Sequence, residues 1–490
     1  MDMEQKPSLP AYPLERKELL FGLAILCASL VLANFTIVGG FNLGFSIGMI
    51  LCLLCSVGYL LSRGYRPNGY SSAILLLCLA IGASFGRSDD GLVKFVMVCF
   101  LLVGTNLGLC LMAGKNLYNP GRAASLLDAA TTLFSMGVGQ LPLSCRGLGA
   151  AFRKSGSIGR KSGAILAGLG ISLPVLLIIV PLLIQADAAF EGLLANLPKI
   201  DLAVLFITAL WGFGGAFVLY TRGLSLHFHR EVRHESAPRK GLSPLTVNTL
   251  LAVICIVYGA YLASQLAYFF GGFSGILPEE FTLAEYARRG FFEMAWLCAI
   301  NLAIMIFSLS LCGKNKPVSL ATRLLCLFIG LVTLLLVATA SAKMLLYIGA
   351  YGLTRLRLLT QVVMVFLGIV TLVVSIWLFV PRLPYMKIVV LMALLLGAAV
   401  SWADVDTQVA SYNVHAYLSG RTDTVDVGYL DSLGDGVVPH LVRLTQEAED
   451  AFVRQQAKTA LDNRWVYRAE DFRGLNYVNH TAAKLLPEQE

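Results

Sequence analysis

Eleven apolar runs, each about long enough to cross a bilayer, fill residues 18–403 of this 490-residue chain, and the pattern then stops for the last 87 residues. Lipid offers a backbone amide no partner outside its own segment, so a crossing is made as a helix. At 1.5 Å per residue, about 20 residues cover the ~30 Å of hydrocarbon. The runs are 18–37, 42–62, 71–87, 92–113, 163–185, 201–221, 246–270, 290–312, 323–346, 357–380 and 386–403, the third and last being the shortest. Composition agrees: 14% of residues are charged, against about 25% in ordinary soluble proteins. The expected fold is all-α, a polytopic transmembrane helical bundle of about eleven spans. A cytoplasmic segment, 1–17, precedes the bundle, and a small helical extramembrane domain, 404–490, follows it.

The first run is longer than the ~7–15 residues of a signal-peptide core and no small-x-small site follows it, so it is kept as the first span. Lys and Arg gather in short cytoplasmic loops. Arg16 and Lys17, Arg63 and Arg66, Lys115 and Arg122, Arg146 to Lys161, Arg222 to Lys240, Lys314 to Arg323, and Arg382 with Lys387 set the N-terminus inside. An odd number of crossings then places the C-terminus outside. Residues 124–143 (ASLLDAATTLFSMGVGQLPL) are moderately apolar, but Asp128 and Gln140 interrupt them and basic clusters flank both ends. As a span they would move every later basic loop to the wrong face, so an interfacial or re-entrant element is expected.

The charge divides along the same line. Residues 404–490 hold 14 Asp or Glu and 8 Lys or Arg, while residues 1–403 hold 16 and 30. The net charge of +8 is therefore a topology signature directed at an anionic inner leaflet and gives no reason to expect nucleic acid. Of the eleven cysteines, ten lie in or at the ends of the runs, Cys145 lies in a connector, and none is in the tail. Cys52 and Cys55 form a CxxC inside an apolar run, which reads as packing rather than as a metal or redox site.

Charge inside a span costs about 2.5–3.5 kcal/mol at its centre on insertion scales, and so needs a partner. The densest such group lies at the outer face around the eighth run. Thr282 and Glu285 read as a capping box stapled by Phe281 and Tyr286, and Glu285, Arg289 and Glu293 share a helix face, with Arg288 alongside. Opposite them by topology stand Lys343, Arg355 and Arg357. Two arginines at a helix N-terminus oppose the macrodipole and the positive-inside tendency, and Glu285 and Glu293 are their expected compensation. The outer-face cluster Glu285, Arg288, Arg289, Glu293, Lys343, Arg355 and Arg357 is the candidate site, either as a structural ion-pair set or as a site for an anionic headgroup, a carboxylate or a proton.

The segments Tyr268-Phe-Phe-Gly-Gly272, Ala284-Glu-Tyr-Ala-Arg-Arg-Gly-Phe-Phe-Glu293 and Tyr347-Ile-Gly-Ala-Tyr-Gly-Leu-Thr-Arg-Leu-Arg357 resemble signature blocks of a bacterial integral-membrane family catalogued as domain of unknown function 4173. Val409-Ala-Ser-Tyr-Asn413, Val425-Asp-Val-Gly-Tyr-Leu-Asp-Ser-Leu-Gly434 and Val438-Pro-His-Leu441 are similar to further blocks. The resemblance spans roughly residues 160–445 and implies a multi-pass protein of the bacterial plasma membrane. It carries over no catalytic residue.

His227-Phe-His229 with His234 lacks a completed ligand set and reads as a basic loop near anionic lipid. Asp404 and Asp406 lack the remaining oxygens of a calcium loop. Gly212 to Gly215 is a close-packing pattern. No Walker sequence, nucleophile elbow or HExxH is present, and neither a cofactor nor a metal is expected. In the tail, Val425 to Leu433, the Gly434-Asp435-Gly436 break and the pattern from Pro439 to Leu461 predict two to four helices. Three readings follow: an envelope scaffold or sensor acting through its tail on an extracytoplasmic protein partner, a secondary transporter, or a membrane enzyme acting on lipid or cell-wall precursors. Buried polar groups near midplane, Asn106, Gln265 and Asn301, are the test between them.

Overall fold

The computed structural model describes residues 14–116, 118–121, 133–154, 202–228, 243–273, 291–311 and 318–486, with single positions 125, 168 and 179 besides. Among these residues the fold is helical, and ten of the eleven apolar runs are helices. They are α1 (Arg16–Gly39), α2 (Leu43–Ser62), α3 (Gly69–Ala83) and α4 (Gly91–Ala113), then, beyond an amphipathic α5 (Leu141–Lys154), α6 (Leu202–Phe228), α7 (Pro244–Phe273), α8 (Phe291–Leu311), α9 (Leu320–Tyr351), α10 (Arg355–Phe379) and α11 (Tyr385–Ala403). Nine are long and apolar enough to cross a membrane, and α8 contributes a shorter apolar stretch, Glu293–Leu309. The run 163–185 lies outside the described residues apart from positions 168 and 179. Of the segment 124–143, the described part is chiefly one π-helical turn, Leu133–Val138, and the start of α5.

The first N–H groups of a helix have no partner within it, and polar side chains supply one here. Asn68 Oδ1 accepts from Ser71 N at 2.8 Å ahead of α3. Asp90 Oδ1 accepts from Leu92 N and Val93 N ahead of α4, and Ser319 accepts from Thr322 N ahead of α9.

The chain divides into two compact units. The first comprises Met1–Asn116, Leu126–Val232 and Tyr467–Ala483. In it α1 packs along α2 and α6, and small residues set the spacing. A Cβ at Gly212 would lie 3.1 Å from Leu30 Cα, and one at Gly215 2.9 Å from Ser29 Oγ, the close packing expected of that pattern. At the Arg16 end, Glu18 is fully buried. It pairs with Arg63 and accepts from Tyr59 OH at 3.2 Å, while Lys17 Nζ donates to Ser62 O at 2.7 Å. Arg222, expected in a loop, is instead buried within α6 and donates to Asn106 O at 2.9 Å. The apolar run ends at 221, but the helix continues to Phe228.

The second unit comprises Leu117–Ser125, Arg233–Val466 and Lys484–Glu490. Its core is built from α7 to α11 around Leu251, Met305, Cys326, Ile329 and Val374. Asn301 is fully buried there; Tyr258 OH donates to its Oδ1 at 2.6 Å, and its Nδ2 donates to Thr333 Oγ1 at 3.0 Å.

Beyond α11 the chain forms α12 (Val405–Leu418), α13 (Val427–Asp431), α14 (Val438–Glu447), α15 (Ala451–Asp462) and α16 (Tyr477–Leu485). These five helices exceed the two to four expected. The excess arises mainly at α12, which follows α11 directly through Asp404, a residue with φ of 52°. Residues 404–466 belong to the second unit and Tyr467–Ala483 to the first. Leu430, Val437, Val438, Leu441, Leu444 and Ala457 form a buried core between α13, α14 and α15.

Candidate functional site

The turn between α9 and α10 has to end one helix and start the next within three residues. Gly352, with φ of 76°, provides the left-handed step. A Cβ there would also lie 2.7 Å from Asn413 Oδ1, because Asn413 grips this turn: its Oδ1 accepts from Leu353 N and its Nδ2 donates to Leu353 O, both at 2.7 Å. Asn413 and Asp406 lie seven residues apart on α12, two turns along one face, so both reach the same turn.

Asp406 is the centre of the arrangement. Its carboxylate is 1% exposed as a residue and accepts from Arg355 Nε at 2.8 Å, Arg355 Nη2 at 2.5 Å and Gly434 N at 2.9 Å. The paired donation of a guanidinium fork fixes orientation as well as charge. The backbone N–H of Arg355 donates to Tyr429 OH at 2.8 Å, and Tyr429 is placed by Asp426, whose Oδ1 accepts from Tyr429 N at 2.8 Å. Arg464 secures the 431–435 loop behind them. It donates to Asp431 O at 2.9 Å, to Asp435 Oδ1 at 3.3 Å and to Leu433 O. Burial pushes the Asp435 carboxyl above the ordinary aspartate range, against the pull of Arg464. Burial, with Arg443 adding to it, holds His440 below the ordinary histidine value.

Arg357 is accommodated differently. It turns back to donate to Tyr351 O at 3.0 Å and to Gly352 O, and lies 4.0 Å from the Tyr347 ring centroid. The carbonyl end of α9, which carries partial negative charge, thus receives the cation that the amide end of α10 disfavours.

The structure brings Arg355 and Arg357 to one turn, where, among the described residues, Asp406, the α9 carbonyls and Tyr347 receive them. Glu293 is exposed in the first turn of α8, and Lys343 is half-buried on α9. Glu285, Arg288 and Arg289 lie outside the described residues, as do His229 and His234. His227 Nδ1 is 3.3 Å from Tyr65 OH. Among the described residues no group of three or more metal-ligating side chains is close enough to hold an ion. Sequence reasoning missed Asp406 and Tyr429 as partners of Arg355. A signal for Tyr429 lay in the VDVGYLDSLG block, which with Asn413 of the VASYN block meets the Thr-Arg-Leu-Arg block here; Asp406 lies outside both blocks.

An all-helical chain with nine helices suited to cross a membrane among its described residues is a multi-pass membrane protein. It belongs to the family described as Domain of unknown function (DUF4153), which matches residues 71–444. This corrects the family number expected from the signature blocks, 4173, and carries the match from α3 through α14. No curated protein and no solved structure matches the chain.

Proposed function

We propose that the protein is a membrane-embedded scaffold or sensor whose C-terminal residues act on the extracytoplasmic face, anchored to the bundle at the α9–α10 turn. The observation that carries this reading is the Asp406 clasp. A buried carboxylate, a forked guanidinium and a tyrosine hydroxyl join α12 and α13 to the start of a spanning helix, so a load on the tail is transmitted to α9 and α10. Asn301 favours the scaffold over a solute path, since both functions of its amide are taken up by Tyr258 and Thr333. The topology is supported by α1, whose 24 residues span about 36 Å. The N-terminal segment enters at its Arg16 end, and Arg473 lies against Asn34 towards the other.

The test is complementation of a deletion strain. The wild-type chain is expected to restore the phenotype, and the double variant Arg355→Gln, Asp406→Asn to fail while accumulating in the membrane at the wild-type level. Restoration by a chain ending at Ala403 would overturn the reading.

A further inference from the structure

Residues 472–477 form a strap across one end of the first unit. Arg473 O accepts from Gly44 N at 3.0 Å and Leu475 O from Leu43 N at 3.1 Å, so the strap caps the first turn of α2. Asn476 Nδ2 donates to Ser88 O at 2.7 Å and to Asn42 Oδ1 at 3.2 Å, while Arg473 Nη1 donates to Asn34 Oδ1 at 2.9 Å. The Phe472 ring meets Phe35 edge-on at 5.3 Å, and Arg87 lies over the Tyr477 ring at 5.5 Å. Asn34 and Phe35 are five and four residues inside the end of α1, about 6–8 Å down a helix that crosses the bilayer. The strap is therefore sunk beside the helix end rather than resting above it.

Its outward side is nonetheless apolar and uncovered: Phe472 is 53% exposed and Tyr477 59%, with Leu475 beside them. Val38 near the end of α1, Phe41 in the α1–α2 bend and Leu92 at the start of α4 are exposed apolar side chains as well, of the kind that lipid covers at the end of a span. Rigid aromatic groups at the end of a span, each with an apolar body and a polar neighbour, match the belt that Trp and Tyr form at the headgroup level. We propose that residues 472–477 are an interfacial anchor, with Phe472, Leu475 and Tyr477 seated in the lipid leaflet that surrounds the Gly39 end of α1.

The experiment uses full-length Phe472→Trp, with Tyr477→Trp as a second reporter in case the Phe35 contact is lost, in lipid nanodiscs; the emission of the five native tryptophans is subtracted from wild-type protein. The added emission should fall when the lipid acyl chains carry bromine at their upper carbons, and should resist iodide in the buffer. Quenching by iodide without quenching by bromine would put the strap in water and overturn the proposal. Insensitivity to both would mean that protein covers it, and would overturn it equally.

Discussion

At the scale of the residue, the buried Asp406 carboxylate is matched by three donors, two from the Arg355 guanidinium and one from Gly434 N. Removing one partner of a buried ion pair costs about 3–5 kcal/mol, and the Arg355 side chain, a third exposed, is partly screened. Arg355→Gln is therefore expected to weaken the tail by about 2–3 kcal/mol. Hydrogen exchange of peptides covering 405–418 should read this as faster opening, and the double change with Asp406→Asn should cost less than the sum of the two singles. His440 offers a pH test. Its folded-state affinity for a proton is below the ordinary value of 6.5, so the stability it contributes is complete above that pH and is lost as pH falls through its folded value. Asp435, shifted upward, acts with the opposite sign: its contribution is present below the ordinary aspartate value of 3.8 and is lost as pH rises through its folded one. Acidification from pH 7 towards 5 should loosen the α13–α15 region, and His440→Gln should flatten that dependence in exchange measurements. An unchanged slope would remove His440 from the account.

At the scale of the element, spanning helices were legible because lipid imposes length and hydropathy on them, and ten runs coincide with helices to within a few residues except where α6 and α9 extend further. The extensions follow polar side chains that find partners inside, such as Arg222 on Asn106 O, which hydropathy alone scores as a loop. The partner of Arg355 was not legible, because Asp406 lies 51 residues away and nothing in a linear reading ranks it above the nearer glutamates. Close approach of backbones was equally hidden. Gly39 reads as an ordinary helix end, yet a Cβ there would collide with the backbone carbonyl of Arg473. Gly39→Ala is expected to displace the strap and cost about 1–3 kcal/mol; faster exchange at the Leu43 and Gly44 amides, with the rest of α2 unchanged, is the readout.

At the scale of the whole molecule, a protease added to intact cells should cut within residues 404–490, and the same protease applied to inside-out vesicles should spare them. The reverse pattern would invert the proposed topology while leaving the helices and the clasp as described. The strap bears on biogenesis. Leu43 and Gly44, near the front of the polypeptide, find their acceptors in Leu475 and Arg473, which leave the ribosome hundreds of residues later. During translation the opening hairpin is thus inserted before the protein acceptors of the two amides at its bend exist, and insertion of the first spans and their completion become separate events. A nascent chain stalled before residue 470 would carry an N-terminal unit that still lacks both of these acceptors.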